Sequence, residues 1–194
     1  MFSCFYPDEY LDSAYEIDFE AFYRRGIRGV IFDIDNTLVP HDAPADERAA
    51  ALFERLRRIG LRTVLLSNNK EGRVKSFAEK VNTDYLYKAG KPKRGGYEKA
   101  MERMGTDAQT TLFVGDQLFT DIWGAKRSGI CSVLVKPIHP KEEIQIVLKR
   151  YLEKIVLYFY LKNTGTPGKG FGAQPTGGTA ADPAAGKREE SYDN

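Results

Sequence analysis

The chain has 194 residues, 42% of them hydrophobic and 29% charged, which suits one domain with a buried core. Lys and Arg number 29 against 27 Asp and Glu, so the formal charge is only +2 and no nucleic-acid partner is expected. Cys4 and Cys131 imply neither a disulfide framework nor a metal-ligand spacing, Pro7, Asp8 and Glu9 interrupt any signal peptide, and no run approaches the ~20 apolar residues of a membrane span; a soluble, cytoplasmic chain is the expectation.

Residues 1–26 are rich in aromatics, among them Phe5, Tyr6, Tyr10, Phe19 and Phe22, and should pack on the flank of the fold. Gly29-Val30-Ile31-Phe32 reads as a buried strand that ends abruptly in acid. Asp46 to Ile59 predicts a helix, with Ala49, Leu52, Phe53 and Leu56 on one face and Gly60 as its stop. Leu61 to Leu66 is a strand, Glu71 to Val81 a helix, Asp84 to Tyr87 a short strand, and Gly95 to Met104 a helix. Thr111 to Val114 is a fourth strand, Ile122 to Ser128 a helix and Cys131 to Val135 a fifth strand. This alternation predicts an α/β fold: a Rossmann-like, five-stranded parallel sheet with helices on both faces. Its domain should run over residues 27–162, and the Gly/Pro/Ala-rich residues 163–194 should form a disordered tail.

Glu142 to Lys162 predicts a last helix whose face of Ile144, Leu148, Tyr151, Leu152, Ile155 and Phe159 should cover the sheet. Its end, from Ile155 to Leu161, is apolar nearly all round and is bordered by Lys154 and Lys162. Peripheral contact with a membrane surface through 144–162 is therefore a second expectation. No partner protein can be inferred.

In a parallel sheet, ligands gather at the carboxyl ends of the strands. Here those ends carry Asp33-Ile34-Asp35-Asn36-Thr37, Ser67-Asn68-Asn69, Lys91-Pro92, and Gly115-Asp116 followed by Asp121. Each piece alone has a plain structural reading as a cap or a turn. Together, at one sheet edge, they supply what phosphoryl transfer from a monoester requires. A carboxylate nucleophile splits the reaction into two displacements, and a second acid protonates the leaving oxygen and then activates water. A lysine and a hydroxyl hold the phosphoryl oxygens. Crowded carboxylates call for a hard divalent cation, and Mg²⁺ suits a few carboxylates beside a phosphate.

The segments Phe32-Asp33-Ile34-Asp35-Asn36-Thr37-Leu38, Leu65-Leu66-Ser67-Asn68-Asn69, Lys91-Pro92 and Val114-Gly115-Asp116 through Asp121 resemble, in order and spacing, the four motifs of the haloacid dehalogenase superfamily. The resemblance implies that Asp33 is the nucleophile and Asp35 the general acid/base. It also implies that Ser67, Asn68 and Lys91 bind the phosphoryl group, and that Asp33, the Asp35 carbonyl and Asp116 bind Mg²⁺. Thr37 and Asp121 would be supporting residues, Asp121 lying either in the outer metal shell or toward Lys91. The spans between motifs are too short for a large cap domain.

Tyr6-Pro7-Asp8, Tyr87-Lys88-Ala89-Gly90-Lys91-Pro92 and Gly115-Asp116-Gln117-Leu118 are further similar to subgroup IIIA, and to the YqeG-like family that includes phosphatidylglycerophosphate phosphatases. That resemblance implies an anionic lipid head group as substrate, with Arg73 and Arg94 as candidates for gripping its second phosphate. A phosphatase for a soluble sugar phosphate or nucleotide is the alternative, and a phospho-accepting signalling domain or a non-catalytic scaffold are readings of other classes.

Overall fold

The computed structural model describes residues 3–139 and 144–164, with side chains described from Cys4 to His139 and from Leu152 to Lys162. Strands β1 (Glu9–Leu11), β2 (Gly29–Phe32), β3 (Arg62–Leu66), β4 (Asp84–Leu86), β5 (Thr111–Gly115) and β6 (Cys131–Val135) form one sheet in the order β1-β6-β5-β2-β3-β4. Every pairing is parallel, with Ile31 opposite Val64 and Phe113 at the centre. Helices α1 (Phe19–Arg24), α2 (Glu47–Ile59), α3 (Glu71–Val81), α4 (Arg94–Met104), α5 (Trp123–Arg127) and α6 (Ile144–Thr164) complete the fold.

Parallel strands covered on both faces need apolar side chains on both, and β2 and β5 are buried throughout. Alternation along each strand divides the core into two layers. Val30, Phe32, Leu65, Leu112 and Val114 meet α1, α2 and α3 on one face. Ile31, Val64, Leu66 and Phe113 meet α4 and α5 on the other. Each large side chain so buried contributes about 1.5–3 kcal/mol relative to exposure. The helices begin and end as their sequences dictate: the Asp46 carboxylate accepts from Ala49 N at 2.7 Å to cap α2, and Gly60 closes it at φ 94°.

Two expectations are corrected. The sheet has six strands, not five, because Glu9–Leu11 in the aromatic-rich N-terminal segment adds an edge strand beside β6. A three-residue strand has too little alternation to stand out from a run of aromatics. The second correction concerns α6. Leu152, Ile155 and Phe159, the described part of the face expected to cover the core, point outward and are exposed, as is Tyr158. The helix instead buries Glu153, Val156 and Tyr160 against Leu118, Ile122, Leu134 and Tyr6. Glu153 favours this orientation together with Val156 and Tyr160: its carboxylate accepts from the Leu118 backbone N–H at 2.9 Å, and a buried carboxylate without such a donor would be costly. The tail expected over residues 163–194 begins later, because Asn163 and Thr164 still belong to α6, and the rest of it lies outside the described residues.

Candidate active site

The ends of β2, β3 and β5 and the loop after β4 converge on a pocket of about 390 Å³, lined by Asp33, Asp35, Ser67, Asn68, Lys91 and Gln117, among others. Asp33 continues the β2 ladder, donating its N–H to the Val114 carbonyl at 2.9 Å. The chain then turns sharply at Asn36, whose φ of 63° is left-handed, a conformation asparagine tolerates better than most residues. That turn leaves Thr37 buried, with its hydroxyl donating to Asp116 Oδ1 at 3.3 Å.

Lys91 is the centre of the charge arrangement. Its ammonium lies 2.7 Å from Asp33 Oδ1 and 2.8 Å from Asp121 Oδ1, and all three side chains are buried. Asn68 fixes the backbone that carries it: Asn68 Oδ1 accepts from Lys91 N at 2.8 Å while Asn68 Nδ2 donates to the Lys91 carbonyl at 3.2 Å. Gly115 allows Asp121 to come close, because a Cβ there would stand 2.6 Å from Asp121 Oδ2. The Asp121 carboxylate also accepts from Gln117 N at 3.1 Å.

Burial opposes charge on every member of this cluster. It pushes the Asp33 carboxyl up to about 7, against the opposing pull of Lys91, and Asp121 and Asp35 add to the rise. Burial would likewise lower the Lys91 pKa, but Asp121 and Asp33 outweigh it and hold the ammonium charged well above its usual range. Oxygen ligands of Asp33, Asp116 and Asp121 all lie within 4.8 Å of one another. Four aspartates, with Asp35, thus face two cations, Lys91 and Arg73. A buried excess of negative charge built from hard oxygen donors fits a divalent cation.

The structure brings Asp33, Asp35, Ser67, Asn68 and Lys91 together around the pocket, with Asp116, Asp121 and Thr37 packed against that group. Of the two positions open to Asp121, its side chain takes the one toward Lys91 while staying within the carboxylate cluster. The two arginines expected at a second phosphate do not line the pocket. Arg94 is exposed on the first turn of α4 and pairs with Glu98 at 3.3 Å, one turn along the same helix. Arg73 pairs with Asp35, its Nη2 donating to Asp35 Oδ1 at 3.0 Å. Position in sequence after a motif says nothing about which way a long side chain reaches.

Two residues, Tyr97 and Glu153, escape a motif-based reading, and Asn69 of the second motif takes a contact that the motif does not assign. Asn69 Nδ2 reaches Asp35 Oδ2 at 3.4 Å. The Tyr97 hydroxyl donates to the Thr120 and Asp121 carbonyls at 2.9 and 3.1 Å, and burial raises its pKa well above the ordinary tyrosine range. Glu153 caps the short π-helical turn Leu118–Ile122 that carries Asp121. For Tyr97 there was a signal: Gly124 interrupts a helical pattern, and a Cβ on it would meet the Tyr97 hydroxyl at 2.3 Å.

Comparisons with known proteins point to one family. Residues 41–129 match the family described as haloacid dehalogenase-like hydrolase, a span that holds Ser67, Lys91, Asp116 and Asp121 and begins after Asp33 and Asp35. The chain is 34% identical over 154 residues to "Probable phosphatase YqeG" of Bacillus subtilis, covering 79% of this chain and 90% of that one. It is 30% identical over 163 residues to Phosphatidylglycerophosphate phosphatase 1, chloroplastic/mitochondrial, of Arabidopsis thaliana, covering 75% of this chain but only 45% of that relative. A solved structure of a hydrolase of the same superfamily from Deinococcus radiodurans, with bound phosphate and sodium, superposes with a TM-score of 0.50 at 16% identity, over 65% of this chain and 88% of the other, and shows the shared fold. Fold and matches together define a phosphatase of the haloacid dehalogenase type. Within that class the chain belongs to the YqeG-like family.

Proposed function

We propose that this phosphatase uses Asp33 as a covalent nucleophile, Mg²⁺ as cofactor and phosphatidylglycerophosphate as substrate, releasing phosphatidylglycerol. The observation that carries the mechanism is the buried Asp33 carboxylate at the pocket wall, held by Lys91 and clustered with Asp116 and Asp121. In the first displacement a carboxylate oxygen of Asp33 bonds to phosphorus, the ester P–O bond breaks, and Asp35 gives its proton to the leaving oxygen. In the second, Asp35 takes a proton from water, whose oxygen bonds to phosphorus as the acyl phosphate bond breaks and Asp33 is regenerated. Lys91 and the Ser67 hydroxyl offset charge on the phosphoryl oxygens throughout.

Asp33, the Asp35 carbonyl and Asp116 are the oxygen donors that would hold the metal. Bound there, Mg²⁺ supplies positive charge that lets several carboxylates and a phosphate share one small volume.

The lipid substrate is supported by the openness of the pocket and by the curated relative named for phosphatidylglycerophosphate. Only residues 33–46 separate β2 from α2 and 67–70 separate β3 from α3, so no inserted cap encloses the substrate there. The exposed Leu152, Ile155, Tyr158 and Phe159, beside exposed Lys154 and Lys162, support peripheral binding of α6 to an anionic bilayer. No helix among the described residues is long and apolar enough to cross one.

A panel of phosphate esters assayed with Mg²⁺ and after chelation tests the whole reading. Phosphatidylglycerophosphate in micelles should be turned over faster than any sugar phosphate or nucleotide, and chelation should abolish activity until Mg²⁺ is restored. Asp33→Asn should lose about 10⁴-fold or more in kcat with the fold intact. Wild-type turnover by that variant would exclude the covalent route, and preference for a soluble ester would exclude the lipid.

A further inference from the structure

Arg73 has no place in the four motifs and does not line the pocket, yet it is the cation nearest the carboxylate assigned above to proton transfer. Asp35 Oδ1 accepts two hydrogen bonds, from Arg73 Nη2 at 3.0 Å and from the Asp42 backbone N–H at 2.9 Å. Its Oδ2 faces Asn69 Nδ2 at 3.4 Å. These donors come from three places: the first turn of α3, the loop after Asn36 and the loop between β3 and α3. The Arg73 and Asp35 side chains are 15% and 13% exposed, so the pair is largely shielded from water and from salt. The guanidinium is steadied on its far side by the Phe77 ring, one helical turn on, 5.5 Å from the ring centroid. Arg73 Nε is buried without a hydrogen-bond partner. A buried donor left unmatched costs free energy, which fits an arginine placed to serve one carboxylate rather than to satisfy all its own donors.

We propose that Arg73 is the positioning residue of this phosphatase: with Asn69 and the Asp42 N–H it forms a three-sided cradle that aims the Asp35 carboxyl at the leaving oxygen. The inference rests on the reading of Asp35 as the general acid/base. Arg73 acts through Asp35, because its Nη2 bonds that carboxylate and its side chain is not among those that line the pocket. A carboxyl group freed from the cradle would sample several rotamers, and only a fraction of them would meet the ester oxygen in the geometry that proton transfer needs.

Leaving-group dependence isolates this role. An alkyl phosphate needs its leaving oxygen protonated, whereas the p-nitrophenolate of p-nitrophenyl phosphate leaves without that help. Glycerol 3-phosphate and p-nitrophenyl phosphate, assayed with the full-length chain and Mg²⁺, therefore serve as the two probes. Arg73→Ala should lower kcat/KM for the alkyl ester about 10- to 100-fold, inside the range that general acid catalysis supplies. On the aryl ester it should lower kcat/KM less than about 3-fold, and inhibition by inorganic phosphate should be unchanged. Arg73→Lys should fall between wild type and alanine, and added guanidinium ion should return part of the alkyl activity of Arg73→Ala. Equal losses on both esters would reduce Arg73 to a structural part, and weaker inhibition by phosphate would make it a substrate ligand; either overturns the proposal. If Arg73→Ala fails to fold, Arg73→Lys carries the same comparison. Asp35→Asn separates the two levels of argument. Should it show no alkyl-selective loss, the acid/base reading itself falls; should it show one that Arg73→Ala lacks, only the role of Arg73 falls.

Discussion

The catalytic edge of the sheet and the outer face of α6 invert the usual distribution of polarity in opposite senses. At the first, Asp33, Lys91, Asp116 and Asp121 are buried charges; at the second, Leu152, Ile155 and Tyr158 are exposed apolar side chains, Tyr158 to 62%. Neither arrangement lowers the free energy of the isolated chain. Buried charge is tolerable when each group has a partner, and the Lys91 contacts to Asp33 and Asp121 provide part of that compensation. On the exposed stripe, Tyr158 and Phe159 pack edge to face, with ring centroids 5.5 Å apart, and both stay open to solvent. In the function proposed above, the site would serve an ion and a phosphate, and the stripe a membrane surface.

The largest effect that would sharpen this contrast is expected at Lys91. Lys91→Met removes the cation while leaving Asp33 and Asp121 buried, and should cost about 3–5 kcal/mol of stability as well as activity. For a chain of this size that is a fall of about 10 °C in Tm, measured by calorimetry. A Tm within a degree of wild type would mean that the cluster is held together by something other than its ion pairs. Next is Gly124→Ala, which drives a Cβ into the buried Tyr97 hydroxyl and should cost about 1–3 kcal/mol in denaturant melts. Gly72→Ala, at a helical glycine with open space around it, should be neutral or slightly stabilising, and the pair of variants separates packing from glycine content.

The outer stripe should behave in the opposite way. Leu152→Ser, Ile155→Ser and Tyr158→Ser should each change stability by no more than about 0.5 kcal/mol. Combined, they should abolish co-sedimentation with vesicles containing anionic lipid, and equal pelleting of variant and wild type would refute the surface role. The smallest effect concerns thiols. Burial pushes the Cys131 thiol up to about 12, with Asp8 adding to the rise, whereas Cys4 is exposed. A raised pKa means less thiolate at a given pH, so near pH 8 a thiol reagent should modify Cys4 and leave Cys131 untouched until the chain is unfolded.

Much of this was legible in the sequence, for identifiable reasons. Strands buried on both faces leave unbroken apolar runs, and Gly29 to Phe32 could be read as one directly. The pocket residues follow strand ends, so finding the strands located Asp33, Ser67 and Asp116 together. What stayed hidden depended on tertiary choices. Arg73 and Arg94 are each basic residues near a helix start, yet one turns to Asp35 and the other to solvent and Glu98. In α6 the periodicity was right and the side was wrong: a stripe of Leu152, Ile155 and Phe159 predicts a buried face, but one buried glutamate, hydrogen-bonded to Leu118 N, lies inward with Val156 and Tyr160, and that stripe faces outward. Pattern gives the existence of an apolar face; it does not say what covers it.

The edge strand β1 carries a further consequence, for the order in which the chain can assemble. Among the described residues its one strand neighbour is β6, so Glu9–Leu11 must wait for residues 131–135 before that ladder can form. The partners of residues 5–8 are late as well: Phe5 packs on Phe119 and Trp123, Asp8 accepts from Ser132 N, and Tyr6 meets Tyr160. At ribosomal speeds of about 5–20 residues per second, this stretch waits roughly 6–25 s for its partners. During that interval the emerging chain already contains β2, β3 and β5, and the segment that finally closes the edge is the one that began it.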